Sequence, residues 1–123
     1  MDLVAYDASL AGPLTGFYNE LIAGVPHCFP VAPEDMATAL DRVRDTWTMH
    51  RILVVPDGAD LQGFAHYAVH RADEYYPEDT GFIVFLGYAR GRRRAGQALL
   101  DAVESDLRKR GIASVRAFHQ RYR

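Results

Sequence analysis

The amino-acid sequence predicts one α+β (mixed α/β) domain, residues 1–123, in which helices lie on both faces of a central, mostly antiparallel sheet. Two amphipathic segments early in the chain predict helices. Three apolar segments in the middle are close enough in sequence to form an antiparallel meander. A final strand-helix-strand unit should have parallel strands joined by a right-handed crossover. The predicted order is therefore β-α-α-β-β-β-α-β.

The first third of the chain predicts a short strand and a helix. Leu3–Ala8 is the candidate strand. The helix has Pro13 in its first turn and ends before Gly24 and Pro26. Its apolar residues follow the spacing of one helix face: Leu14, Phe17, Tyr18, Leu21 and Ile22.

A second helix is predicted after the loop Val25–Ala32. Pro33, Glu34 and Asp35 are favourable residues for a helix start, because proline fits the first turn and acidic groups complement the helix dipole. The expected buried stripe of this helix is Met36, Leu40, Val43 and Trp47.

The rest of the chain predicts three strands, a long helix and a last strand. The three strands are rich in apolar residues: Arg51–Val55, Leu61–His70 and Phe82–Leu86. Pro56-Asp57-Gly58 is a turn between the first two, and the polar stretch 71–80 is a loop. The long helix, Arg94–Arg110, repeats an apolar residue every fourth position: Ala95, Leu99, Val103 and Leu107. Gly111 ends it, and Ala113–Phe118 is the last strand.

The composition is that of an ordinary globular domain, with 49% hydrophobic and 24% charged residues. No segment approaches the roughly 18 apolar residues of a membrane helix, and the N-terminus lacks the pattern of a signal peptide. The only cysteine, Cys28, cannot form an internal disulfide. We therefore expect a cytoplasmic protein without membrane association.

The charges are unevenly distributed along the chain, although the net charge is only −2. Residues 1–89 contain four basic and thirteen acidic side chains, a balance of −9, whereas residues 90–123 contain ten basic and three acidic ones, a balance of +7. This pattern predicts an anionic ligand near the basic part and a cationic one near the acidic part. A random surface dipole is the alternative.

The basic part begins with arginines around the start of the long helix, Arg90-Gly91-Arg92-Arg93-Arg94. Cations are unfavourable there by about 0.3–1 kcal/mol each, because the helix dipole already places positive charge at that end. Gly96 in the first turn costs about 1 kcal/mol relative to alanine. Both features indicate a site for an anion such as phosphate. A solvated basic turn is the alternative, and nucleic-acid binding is not expected because no aromatic stacking platform accompanies the arginines.

The segment Arg93-Arg94-Ala95-Gly96-Gln97-Ala98 resembles the (Q/R)-x-x-G-x-(G/A) signature of the GNAT superfamily of N-acetyltransferases. The element order of the whole chain is similar to that of this family. The resemblance implies that acetyl-CoA is the co-substrate, without a metal ion, and that a small-molecule or peptide amine is the acceptor. It further implies that the backbone N–H groups of this segment hold the pyrophosphate. Phe85, Leu86 and Gly87 would lie along the pantetheine arm, in a V-shaped slot between the last two strands.

The catalytic groups are less clearly indicated. Some GNAT members carry a glutamate base eleven residues before the signature, where this chain has Phe82. The nearest acids are Glu74, Glu78 and Asp79, of which we take Glu78 or Asp79 as the candidate base, with a solvated acidic loop as the alternative. His119 is a candidate general acid or base. His66 and His70 lie roughly 13 Å apart on one strand face, too far apart to share a metal.

The chain also departs from the family pattern after its last strand. GNAT members usually continue with a helix that carries a tyrosine acid and with two further strands, whereas this sequence stops at Arg123. Three interpretations are open: the sequence is a fragment, a second chain completes the sheet as in a homodimer through the exposed last strand, or the domain binds acyl-CoA without turnover. A further functional alternative is an interaction protein that binds no coenzyme.

Overall fold

The computed structural model describes residues 1–42 and 44–117, and the predicted order of elements is confirmed. The strands are β1 (Val4–Ala5), β2 (Trp47–Asp57), β3 (Asp60–His70), β4 (Thr80–Tyr88) and β5 (Val115–Ala117). The helices are α1 (Ala11–Ile22), α2 (Pro33–Asp41) and α3 (Arg93–Lys109), and a 3-10 turn at Ala8–Leu10 precedes α1.

One predicted boundary is wrong, because Trp47 belongs to strand β2 and not to the second helix. Helix α2 ends at Asp41, and the next residue, Arg42, already has an extended backbone with ψ of 123°. Trp47 is the first residue of β2, pairs with His70 and is 7% exposed. The stripe that ended in Trp47 was a coincidence of spacing, since the side chain is buried from a strand. Val43 lies outside the described residues.

The first strand is also shorter than expected. The carboxylate of Asp7 accepts a hydrogen bond of 2.8 Å from the backbone N–H of Ser9. This cap starts the 3-10 turn, so the extended segment is limited to Val4–Ala5.

The five strands form one sheet in chain order, β1-β2-β3-β4-β5. The pairs from β1 to β4 are antiparallel, while β4 and β5 are parallel, as the strand-helix-strand unit predicted. The pairing of β3 with β4 has one irregularity: His66 faces Phe85 and the next residue, Tyr67, faces Ile83. Val84 is therefore an extra residue on β4, a β-bulge that changes the direction of the side chains after it.

The sheet has a buried cluster on each face, so helices cover both faces. On one face, α1 and α2 pack on residues such as Val54 and Phe64. On the other, α3 contributes the four predicted residues, Ala95, Leu99, Val103 and Leu107, which are all at most 1% exposed. No helix in residues 1–42 and 44–117 is long and apolar enough to cross a bilayer.

Candidate functional site at the start of helix α3

The candidate anion site lies where β4 ends and α3 begins. The connection is a tight turn in which the N–H of Arg92 donates to the carbonyl of Ala89 at 2.9 Å. Gly91 has a φ of 82°, a conformation that glycine adopts without strain. The N–H of Ala89 in turn donates to the carbonyl of Gln62 at 2.7 Å. The loop is thus attached to β3 and places the start of α3 at the end of the sheet.

No side chain caps the backbone at the start of α3. Arg92 is the N-cap residue and its side chain makes no capping hydrogen bond, and the first turn contains no acidic residue. The N–H groups of Ala95 and Gly96 donate to the carbonyl of Arg92 at 3.0 and 3.4 Å. Arg93 and Arg94, which are exposed, occupy the first two helical positions, where backbone N–H groups cannot bond within the helix. The positive end of the helix therefore remains available to an anion.

An open groove lies next to this loop. A cavity of about 640 Å³ extends between α1, the β2–β3 turn and the loop residues Ala89 and Arg90. One part of its wall is apolar and is formed by α1 and by Leu61 of β3. Another part carries three carboxylates: Glu20, Asp57 and Asp60. Asp57 forms an ion pair of 3.2 Å with Arg92. Basic and acidic surfaces thus meet at one groove.

The predicted pantetheine strand segment follows the bulge on β4. Phe85 stacks on Phe64 with ring centroids 4.5 Å apart, so its side chain belongs to the core on the α1 face. A β-carbon on Gly87 would lie 2.8 Å from the Phe85 ring and 2.9 Å from Leu21, so a larger residue there would have to displace both side chains. Leu86 packs on the opposite face, against the α3 cluster. The segment could therefore offer a ligand its backbone at Gly87 and the half-buried edge of the strand.

The predicted V-shaped slot depends on how β5 continues. The described pairs of β4 with β5 run from Gly81 with Val115 to Ile83 with Ala117. The predicted slot would open beyond these pairs, where β5 would continue with residues after 117, which lie outside the described range. The slot therefore stays a prediction.

Gly96 has a protein contact that the sequence did not indicate. An ideal β-carbon at Gly96 would collide with Cδ1 of Tyr88 and lie 2.6 Å from Cε1 and 3.0 Å from Cγ of the same ring. Gly96 is buried, whereas Tyr88, the last residue of β4, is 40% exposed. An aromatic ring therefore accompanies the arginine loop, although none was expected from the sequence.

The candidate acids lie in the loop before β4. The carboxylate of Asp79 accepts a hydrogen bond of 2.8 Å from the N–H of Ala72, which closes the loop on itself. The carboxylate of Glu78 is 3.4 Å from Oγ of Ser114, just before β5. Both acids are exposed. The third candidate, His119, lies outside the described residues, and the catalytic role of all three stays a prediction.

A pair of histidines was missed by the sequence analysis. Nδ1 of His50 on β2 lies 3.2 Å from Nε2 of His66 on β3, and the Trp47 ring packs edge-on against His66. Burial, with a smaller contribution from His50, lowers the pKa of His66 to about 3. Burial also lowers the pKa of His50, against an opposing effect of Asp41. Only the register of β2 on β3 brings the two rings together, so their sequence positions gave no signal.

Within the described ranges, no three His, Cys, Asp or Glu side chains are grouped so that they could hold a metal ion. Two polar contacts of the His70 ring are with residues other than His66: its Nδ1 lies 2.7 Å from the carbonyl of Arg71, and its Nε2 lies 3.8 Å from Asp73.

Comparison with known proteins shows similarity in structure and not in sequence. No protein-family model matches the chain, and no curated protein matches it. Among solved structures, a GCN5-related glucosamine N-acetyltransferase region of a fungal multi-domain GH3 β-N-acetylglucosaminidase superposes with a TM-score of 0.79 at 15% identity. That match covers 99% of this chain and 14% of the fungal protein.

Two further structures have the same architecture. A tandem GNAT protein from the clavulanic acid biosynthesis pathway has a TM-score of 0.75 at 21% identity, over 94% of this chain and 35% of that protein. An aminoglycoside acetyltransferase from an uncultured soil metagenomic sample, in complex with sisomicin, has a TM-score of 0.66 at 13% identity, over 98% and 78% of the two chains. The chain therefore has the GNAT fold.

Proposed function

We propose that this protein is an N-acetyltransferase that transfers an acetyl group from acetyl-CoA to a primary amine by direct attack of the amine on the thioester. The observation that carries the proposal is the uncapped, arginine-rich start of α3 directly after a bulged strand, in a GNAT fold. A diphosphate at Arg93 and Arg94 would satisfy the free N–H groups and neutralise the arginines at the same time.

The residues proposed to hold the coenzyme are those of the signature and of β4. In the segment from Arg93 to Ala98, the free backbone N–H groups of its first two residues would bind the pyrophosphate, and the half-buried edge of Phe85, Leu86 and Gly87 would bind the pantetheine arm. The groove beside Arg90 gives a ligand access to this loop.

The acceptor is proposed to be a cationic amine, small or part of a peptide. Three carboxylates, Glu20, Asp57 and Asp60, line the groove next to the arginine loop. An ammonium group is attracted to such a surface, and the adjacent loop would hold the anionic coenzyme. The acid-base groups remain candidates: Glu78, Asp79 and His119.

A second candidate function is an acyl-CoA-binding module that needs a second chain for activity. It is favoured by Phe82, which is 2% exposed and stands where some GNAT members have a glutamate base. A homodimer through the edge of β5 would be one form of this arrangement. Sedimentation of the purified protein tests it, because a monomer at all concentrations would exclude the dimer.

Calorimetry with acetyl-CoA and with CoA, followed by a thiol-release assay with a panel of amines, tests the proposal. We expect binding of both ligands and release of free thiol with at least one cationic amine. Binding without thiol release would favour the acyl-CoA-binding module. Absence of binding at millimolar coenzyme would reject both functions.

A further inference from the structure

The Tyr88 ring occupies the space that a side chain at position 96 would need. The β-carbon of any residue other than glycine would overlap Cδ1 of this ring and lie 3.0 Å from Cγ, close to the rigid base of the side chain. A rotation of the outer part of the ring would not relieve a contact so near its attachment. A residue with a β-carbon at position 96 therefore requires the whole Tyr88 side chain to leave this position.

A second glycine makes room for the stem of the same tyrosine. A β-carbon on Gly63 of β3 would lie 3.3 Å from Cβ of Tyr88 and 2.8 Å from the carbonyl oxygen of Gly87. Tyr88 is thus packed between β3 and the first turn of α3, while 40% of its surface stays exposed beside the arginine loop. The side chain joins the end of the sheet to the start of the helix.

We propose that Tyr88 is the positioning residue of the phosphate-binding turn, and that residue 96 is glycine in order to receive the Tyr88 ring. The ring fixes the first turn of α3 relative to β4, and so directs the free N–H groups of Arg93 and Arg94 toward the ligand. The identity of the ligand in this inference rests on the proposed function. The packing of Tyr88 against Gly96 is independent of that function.

A double-mutant cycle on stability tests the packing without any ligand. In the wild-type background, Gly96→Ala should lower the melting temperature, because the new methyl group must displace the ring. In the Tyr88→Ala background, the same substitution should raise it, because alanine is the better helix former. Gly16→Ala, in the exposed interior of α1 where a β-carbon meets nothing within 4 Å, is the matched control and should raise the melting temperature in both backgrounds.

The coenzyme part is tested by acetyl-CoA kinetics and by calorimetry with CoA. Tyr88→Ala should raise the KM for acetyl-CoA and the Kd of CoA about tenfold, with kcat unchanged, because the turn is misplaced while the reacting groups are not. Tyr88→Phe should keep the KM and the Kd at their wild-type values, since the ring and not the hydroxyl makes the contact with Gly96. A purely structural role would leave KM and Kd as in the wild type at temperatures where the variant is folded.

Three results would overturn parts of the inference separately. An equal loss of stability from Gly96→Ala in both backgrounds would show that the ring does not determine the glycine. Unchanged CoA affinity in a folded Tyr88→Ala variant would refute the positioning role. If the wild-type protein binds no CoA, the proposed function and the positioning role both fail, while the stability cycle still decides the packing.

Discussion

The hydroxyl of Tyr67 donates a hydrogen bond of 2.5 Å to the carboxylate of Asp106, which joins the middle of strand β3 to helix α3. The Tyr67 ring is completely buried, and Asp106 also pairs with Arg110 at 3.2 Å and Arg51 at 3.6 Å. Burial, and then the contact with Asp106, raises the pKa of Tyr67 to about 12. At Asp106 burial opposes ionisation, but the bonds from Tyr67 and Arg110 lower its pKa overall. This contact fixes α3 on the sheet, and the candidate site lies at the other end of that helix.

Tyr67→Phe should therefore lower the free energy of unfolding by about 1.5–3 kcal/mol, the usual contribution of a hydrogen bond to a charged group. Denaturant unfolding followed by circular dichroism measures the loss. Tyr75→Phe removes the same atom from a ring that is 78% exposed, so it should change stability by less than about 0.5 kcal/mol. Equal midpoints for Tyr67→Phe and the wild type would show that the contact does not stabilise the fold.

The buried side chain of His66 predicts that the protein loses stability in mild acid. The pKa of His66 is about 3 in the folded state and about 6.5 in the unfolded chain. Between these values the unfolded state binds the proton and the folded state does not. The free energy of unfolding therefore falls as the pH drops below about 6.5, by up to about 1.4 kcal/mol per pH unit from this group.

His66→Gln, which cannot titrate, should reduce this slope between about pH 4.5 and 6.5, above the range in which carboxylates titrate. Denaturant midpoints measured across this interval give the slope. His27→Asn is the matched control, because His27 is exposed and has a φ of 63° that asparagine tolerates. A slope in His66→Gln equal to that of the wild type would mean that other groups carry the pH dependence.

The two exposed arginines at the start of α3 should act oppositely on stability and on coenzyme binding. Replacing Arg93 and Arg94 with Gln removes two cations from the positive end of the helix dipole. The ligand-free protein should then gain about 0.3–1 kcal/mol of stability per residue. The Kd of CoA should rise at least tenfold, and its dependence on salt should become weaker.

The control for this pair is at the other end of the same helix. Replacing Arg108 and Lys109 with Gln changes the net charge equally, but these residues lie in the last turn, where cations are favourable. This variant should lose stability and keep the wild-type Kd. If both double variants weaken CoA binding equally, the effect is one of overall charge and not of a site.

The loop acids can be separated by amide substitutions. Because the Asp79 carboxylate closes its own loop on Ala72, we expect Glu78→Gln to lower kcat more strongly, by about 10²- to 10⁴-fold if Glu78 is the base. Asp79→Asn keeps an oxygen acceptor for Ala72, and Glu74→Gln is a control in the same loop. Steady-state thiol release measures all three. Wild-type kcat in both Glu78→Gln and Asp79→Asn would exclude the loop as the source of the base.

Local sequence patterns were sufficient for the element order and for the position of the arginine loop. The periodicity of α3 placed its buried residues correctly, because one helix face must be apolar wherever that helix packs. The same kind of pattern could not assign Trp47 to strand β2 instead of helix α2, since an apolar residue at helical spacing is also compatible with a strand.

The sequence by itself therefore determined which segments become helices and strands, the parallel return of the last strand, and the accumulation of positive charge at one helix start. Only the tertiary structure decided that His50 meets His66, that Tyr67 holds Asp106, and that Tyr88 lies on Gly96. The physical reason is range: periodicity and turn chemistry act between residues a few positions apart. Strand register and packing between elements instead bring together side chains that no local pattern connects.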